Sequence, residues 1–132
     1  MPESPNPAVN RPEVVAEVTA LFHAYEAALM SNDVAALADF FWDDARVTRY
    51  GIADKQWGAQ ALQAFRAATP PPNFTRRLEG LRINSFGDDS AVAQVEFVRS
   101  DTPLRGFQTQ VWQRMGGRWK IVAAHVSMID WP

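Results

Sequence analysis

Arg49 is the residue of this sequence whose chemistry is most demanding. It lies in the run Thr48-Arg49-Tyr50-Gly51-Ile52, where the alternation of a short strand places it on the same face as Val47. Val47 is the better core residue, so Arg49 is expected to point inward with it. A guanidinium keeps its proton in proteins and needs an anion when it is buried. The sequence therefore predicts either a bound small acid or a structural ion pair with a carboxylate such as Asp43, Asp44 or Glu96.

Tyr25 is the second candidate, because it lies on the apolar stripe of a predicted amphipathic helix. As a core aromatic, its ring would pack and its hydroxyl would need one partner. Beside an inward arginine, a phenol can also orient a substrate or transfer a proton. We expect Tyr25 and Arg49 to act as a pair, and the pair is more informative than either residue alone.

Five further side chains are predicted to line the same pocket. His125 and Ser127 share a face of the last predicted strand, and Gln108 lies on the strand before it, where a buried amide can bind a urea or a carboxylate. Trp42 is expected at the pocket entrance, and Tyr50 either on its floor or in the opposite packing layer. Each also has a structural interpretation as a core histidine, a solvated amide or a core aromatic.

The elements that must position these residues follow from hydrophobic periodicity. The pattern predicts helices over residues 12–30, 33–41 and 57–68, a short strand over 45–51, and four longer strands over 74–86, 91–99, 106–115 and 119–128, with a bulge near Gly80. Helices and strands segregate along the chain, so the fold class is α+β, with three N-terminal helices packed on a curved, mostly antiparallel sheet. We expect residues 1–11 to form a flexible tail and residues 12–132 a single domain.

Composition excludes several classes of function. The chain of 132 residues has a net charge of -2 and no basic block, which argues against nucleic acid as a partner. It has no cysteine and two histidines, so no Cys/His zinc cluster can form, and we expect neither metal nor organic cofactor. No signal peptide or membrane span is predicted, which favours a soluble cytoplasmic protein. Valines on the second face of the sheet favour a homodimer formed through the sheets.

The order helix, helix, short strand, helix and four-stranded meander resembles the nuclear transport factor 2-like (SnoaL-like, cystatin-like) cone over nearly the whole chain. Local motifs are more specific and resemble the AtzH-like family, which includes the HpxZ protein of oxalurate catabolism. These motifs are Tyr25-Glu26-Ala27-Ala28-Leu29, Phe41-Trp42, Arg49-Tyr50-Gly51, Gly58, Phe65-Arg66, the segment 108–112 and the segment 119–127. The sequence departs from the family pattern at Ala53-Asp54-Lys55, where a glutamate is usual, and at Ala67-Ala68-Thr69, where another arginine is common.

The resemblance implies a function as well as a fold. The family's tyrosine and arginine fall on Tyr25 and Arg49, and the activity it implies is the decarboxylating hydrolysis of 1,3-dicarboxyurea to allophanate. Members are found in nitrogen-scavenging pathways beside an AtzE-type amidase. The resemblance thus implies a small hydrolase of nitrogen-compound catabolism that acts on an N-carboxylated urea or amide acid, with a carboxylate-bearing molecule held by Arg49. The alternative is a non-catalytic small-acid-binding or accessory dimer associated with an amidase.

Overall fold

Two helices come first among the described elements of the chain. The structure, a computed structural model, describes residues 6–132, with α1 at Pro12–Ser31 and α2 at Val34–Phe40. α1 ends at Asn32, which adopts a left-handed conformation (φ 53°) and returns its N–H to carbonyls of the last helical turn. Asp33 then caps α2 by accepting a hydrogen bond of 3.1 Å from the backbone N–H of Ala36. These boundaries agree with the periodicity of the sequence.

One sheet of six strands forms the rest of the fold, with α3 at Ala59–Ala68 inserted after its first two strands. The strands are β1 Thr48–Tyr50, β2 Lys55–Trp57, β3 Arg76–Phe86, β4 Ser90–Arg99, β5 Arg105–Met115 and β6 Arg118–Ile129. Their order in the sheet is β2-β1-β6-β5-β4-β3; β1 pairs with β6 in parallel and all other pairs are antiparallel. The α+β class is confirmed, but β2 was not predicted. It pairs with β1 and includes Trp57, so the third helix begins at Ala59 and not at the expected residue 57.

The core lies between the helices and one face of the sheet. Alternate residues of β4 and β5 point toward the helices and are buried, including Phe97 and Trp112. Gly106, opposite Phe97, is required by this packing, because a Cβ there would lie 2.1 Å from the Phe97 ring. The Phe97 ring can therefore approach the backbone of Gly106 closely and form part of the wall described below.

Two bulges decide which side chains of the sheet face the core. The first lies between Glu79 and Arg82, where Gly80 has φ 64°, as the sequence predicted. The second lies in β6, since Val111 pairs with Ala123 while Trp112 pairs with Ile121, leaving Val122 as the extra residue. An extra residue reverses the alternation of a strand. Beyond Val122, the inward residues are therefore those at positions 124 and 126.

The segment before α1 is attached to the sheet at residues 8–10. Val9 forms an isolated bridge with Phe86, and the side chain of Asn10 accepts a hydrogen bond of 2.7 Å from the backbone N–H of Ser85. Residues 1–5 of the tail expected over residues 1–11 lie outside the described residues, and the division into a flexible tail and a single domain stays a prediction. Among the described helices, none has the length and apolar character needed to span a membrane.

Candidate functional site

A cavity of about 310 Å³ opens between α1, α3, the segment 69–74 and the inner face of the sheet. Its apolar wall includes Leu29, Phe65, Phe97 and Val126. Its polar lining includes Tyr25, Arg49, Arg66, Arg76, Arg99 and Gln108, with Thr69 and Asn73 in the segment 69–74. Four arginines thus line one small cavity, and they differ in whether the protein supplies a carboxylate partner.

Arg66 is buried and has no carboxylate partner within the described residues. α3 directs it inward on the same stripe as Ala59 and Leu62, and its exposed fraction is 4%. Its Nη2 donates a hydrogen bond of 3.0 Å to the hydroxyl oxygen of Tyr25, and its buried Nε has no partner. Burial lowers the pKa of Arg66, and the neighbouring charge of Arg49 acts in the same direction. A guanidinium keeps its proton in proteins, so Arg66 is a buried cation whose only protein hydrogen bond among the described residues is to a neutral phenol.

Arg49 lines the cavity but is already paired. Its Nη1 donates to Asp54 Oδ1 at 2.7 Å and to Gln56 Oε1 at 2.9 Å, while Gln56 Nε2 donates to the same Asp54 oxygen at 2.9 Å. Gly51 makes this arrangement possible, because a Cβ at that position would lie 2.4 Å from Asp54 Oδ1. Arg49 points inward, as expected. Its carboxylate partner is Asp54, and not Asp43, Asp44 or Glu96.

Arg76, Glu26 and Gln108 form a third polar group on the opposite side of the cavity. Arg76 Nε lies 3.2 Å from Glu26 Oε2, close enough for an ion pair although the angle is too poor for a hydrogen bond. Arg76 Nη2 donates to Gln108 Oε1 at 3.0 Å, and the guanidinium stacks 4.0 Å from the centre of the Phe97 ring. Burial raises the pKa of Glu26 despite the opposing charge of Arg76. Desolvation therefore outweighs a single, poorly aligned ion pair.

Arg99 stands at the rim, where Asp101 neutralises it. Two hydrogen bonds of 2.9 and 2.6 Å join the guanidinium to both oxygens of Asp101, and they lower the pKa of that carboxyl group. The guanidinium also lies 3.6 Å from the centre of the Phe74 ring. Thus three of the four cavity arginines have a carboxylate partner, and Arg66 is the one that has none within ion-pair distance among the described residues. No cluster of metal-binding side chains occurs among residues 6–132.

Comparison with known proteins assigns the chain to a family. The family model described as AtzH-like matches residues 7–131. The chain belongs to the AtzH-like family. No curated protein matches it.

Two solved structures share the fold of this AtzH-like protein closely. A cystatin-like fold protein from Burkholderia xenovorans is 44% identical, with a TM-score of 0.91 over 94% of this chain and 98% of that one. A protein of unknown function from Pectobacterium atrosepticum is 41% identical, with a TM-score of 0.91 over 97% and 100%. A nuclear transport factor 2-like superfamily protein from Salmonella enterica is 21% identical with a TM-score of 0.71 over 90% and 93%, which shows the fold alone.

The predicted site residues divide into two groups. Tyr25, Arg49 and Gln108 line the cavity, as expected. The bulge at Val122 turns His125 and Ser127 to the outer face of the sheet, where they pair with Thr109 and Phe107 of β5, and Val126 lines the cavity instead. The predicted placement of these two side chains is therefore corrected.

Two predicted aromatic residues also lie away from the cavity. Tyr50 is 40% exposed on the outer face and lies 5.7 Å from the His125 ring, measured between ring centres. Trp42 has a backbone hydrogen bond to Ile121 and lies under the guanidinium of Arg46 at 4.9 Å. Both positions follow from the alternation of β1 and from the bridge between residues 41 and 121. The dimer expected through the outer face stays a prediction.

Sequence reasoning missed Arg66, Arg76, Arg99 and Asp54. Arg66 carried a signal, because it follows Leu62 by four residues on the inner stripe of α3. Asp54 also had a signal in the sequence, because it lies in the segment where the family pattern usually has a glutamate. Arg76 and Arg99 had no such signal: they are neighbours only through the pairing of β3 with β4.

Proposed function

We propose that this AtzH-like protein binds a small carboxylic acid with the carboxylate on Arg66, and that it catalyses the decarboxylating hydrolysis of an N-carboxylated urea or amide acid. The observation that carries the proposal is the buried guanidinium of Arg66, which has a phenol as its hydrogen-bond partner and no carboxylate. A buried cation in that state is costly to the free protein. A ligand carboxylate would supply both the missing charge and acceptors for the free N–H groups.

Tyr25 is suited to deliver a proton to such a ligand. Its oxygen accepts a hydrogen bond from Arg66 Nη2, so its own O–H remains free to donate elsewhere. Within the described residues that O–H has no protein acceptor. When the proton leaves, the adjacent guanidinium stabilises the negative charge that develops on the phenol oxygen.

The reaction then requires one bond to break. In an N-carboxylated urea with two carboxylates, Arg66 holds the carboxylate that is retained. Tyr25 protonates the nitrogen that carries the other carboxylate, the C–N electron pair moves to that nitrogen, and carbon dioxide leaves to be hydrated in water. Water returns the proton to Tyr25. The apolar wall near Phe97 and Val126 favours this step, because loss of carbon dioxide removes a charge from a poorly solvated position.

The test uses freshly generated 1,3-dicarboxyurea and follows carbon dioxide and allophanate together. Tyr25→Phe removes the proton donor but no charge, so turnover should fall by about 10²- to 10⁴-fold. Binding of malonate, a stable small dicarboxylate, should be retained. His125→Ala on the outer face serves as the matched control and should leave the rate unchanged.

Three results would change the proposal. If the wild-type protein binds malonate tightly but turns nothing over, the same cavity serves a non-catalytic acid-binding or accessory role. Failure to bind any small carboxylate would refute the carboxylate site itself. A rate that is unchanged in Tyr25→Phe would remove Tyr25 from the mechanism.

A further inference from the structure

The amide of Gln108 has a defined orientation in the cavity. Its Oε1 accepts a hydrogen bond of 3.0 Å from Arg76 Nη2. Because every polar atom of a guanidinium is a donor, the Gln108 atom that faces Arg76 must be the oxygen. Its Nε2 is consequently the atom left for another partner.

Arg76 is itself held from two sides. Glu26 of α1 lies 3.2 Å from its Nε, and the Phe97 ring of β4 lies 4.0 Å from its guanidinium carbon. The side chains of Arg76 and Glu26 are 7% and 14% exposed, so both are largely withdrawn from water. Glu26 thus holds the buried guanidinium of Arg76 in place, and Arg76 in turn fixes the orientation of the Gln108 amide.

The Nε2 group of Gln108 is buried and has no partner within the described residues. An N–H donor in this state destabilises the free protein unless a ligand or water satisfies it. Gln108 lines the same cavity as Arg66 and Tyr25. Gln110 is the next inward amide of β5 and is also buried. Its Oε1 accepts a hydrogen bond from Trp112 Nε1, and it does not line the cavity.

We infer that Gln108 is a specificity-determining residue that donates Nε2–H to a neutral carbonyl oxygen of the ligand. The inference rests on the proposed carboxylate site at Arg66 and defines the substrate class more narrowly. One end of the ligand carries a negative charge for Arg66, and the other part carries an amide or urea carbonyl for Gln108. Glu26 and Arg76 are positioning residues in this scheme.

Two probes of similar length separate the two halves of the site. Hydantoate carries a carboxylate and a urea carbonyl, whereas pentanoate carries the carboxylate alone. Calorimetric titration of the wild-type protein should show that hydantoate binds roughly tenfold more tightly than pentanoate, the value of one well-made hydrogen bond in a buried site. If neither probe binds, the carboxylate site fails; if both bind equally, only the role of Gln108 fails.

Substitutions at Gln108 then test the residue directly. Gln108→Met removes the donor with little change in volume, and Gln108→Glu keeps the acceptor for Arg76 while removing the donor. Both should reduce the hydantoate-to-pentanoate preference to about onefold, although Gln108→Glu will weaken both anions. Gln110→Met, on the same strand and face, should retain the full preference. A preference that survives in the Gln108 variants would overturn the inference, and thermal melting shows which variants are folded.

Discussion

Replacing Arg66 with methionine should make the free protein more stable while it loses its ligand. The substitution removes a guanidinium that is 4% exposed, makes one protein hydrogen bond and leaves its Nε unpaired. Methionine fills a similar volume without a charge to desolvate. Because a buried charge must be desolvated and an apolar residue of similar volume need not be, the free energy of unfolding should rise by about 1–3 kcal/mol. For a domain of this size, that corresponds to a rise of about 4 °C in Tm per kcal/mol.

The same substitution should weaken ligand binding. A carboxylate on Arg66 would make one or two charge-assisted hydrogen bonds, each worth about 1.5–3 kcal/mol. Their loss should raise the Kd for malonate by roughly 100-fold or more. Urea unfolding of the ligand-free protein and calorimetric titration with malonate measure the two effects separately.

Arg49→Met provides the matched control, because that guanidinium also lines the cavity but is paired with Asp54. Its removal leaves the carboxylate of Asp54 and the amide of Gln56 without their donor, so stability should fall by about 1–3 kcal/mol. The two arginine variants should therefore change stability in opposite directions. If Arg66→Met is destabilised like Arg49→Met and still binds malonate normally, Arg66 is a structural residue and the reasoning fails.

Two further predictions concern the partners of the cavity arginines. Gly51→Ala would place a Cβ 2.4 Å from Asp54 Oδ1, so the free energy of unfolding in urea should fall by about 1–2 kcal/mol. In an Asp54→Ala background the same substitution should cost much less, and an equal cost in both backgrounds would show that the clash does not involve Asp54. Burial raises the pKa of Glu26 above 4.5, so its contribution to stability is complete below pH 4.5 and is lost as pH rises through the folded-state pKa. The stability of the wild-type protein relative to Glu26→Gln, measured by urea unfolding at several pH values, should therefore fall as pH rises, and a pH-independent difference would contradict the assignment.

Much of the architecture could be predicted because it depends on local patterns. The apolar stripe of α1, the cap at Asp33 and the bulge at Gly80 each follow from residue types within a few positions of one another. The inward direction of Arg49 followed in the same way, from its separation of two residues from Val47, which is fully buried. β2 escaped prediction because it has three residues and is defined by its pairing with β1 rather than by a pattern of its own.

The misplacement of His125 and Ser127 has a different cause. Their expected direction depended on an unbroken alternation from Ile121 onward, and the extra residue at Val122 reverses that alternation. No glycine marks this bulge, whereas Gly80 marks the other one. The single bulge at Val122, between Ile121 and Ala123, thus places His125 on the outer face of the sheet.

The charge balance of the cavity depends on pairings that differ in their distance along the chain. Asp54 and Asp101 lie within five residues of Arg49 and Arg99, so those pairs are local. Glu26 reaches Arg76 only because α1 packs against the sheet, and Tyr25 reaches Arg66 across 41 positions of sequence. Because neighbouring residues of α1 serve two different arginines, Glu26 neutralises one while Tyr25 leaves the other charged. That difference, a carboxylate at one position and a phenol at the next, explains why Arg76 has a carboxylate partner and Arg66 has none among the described residues.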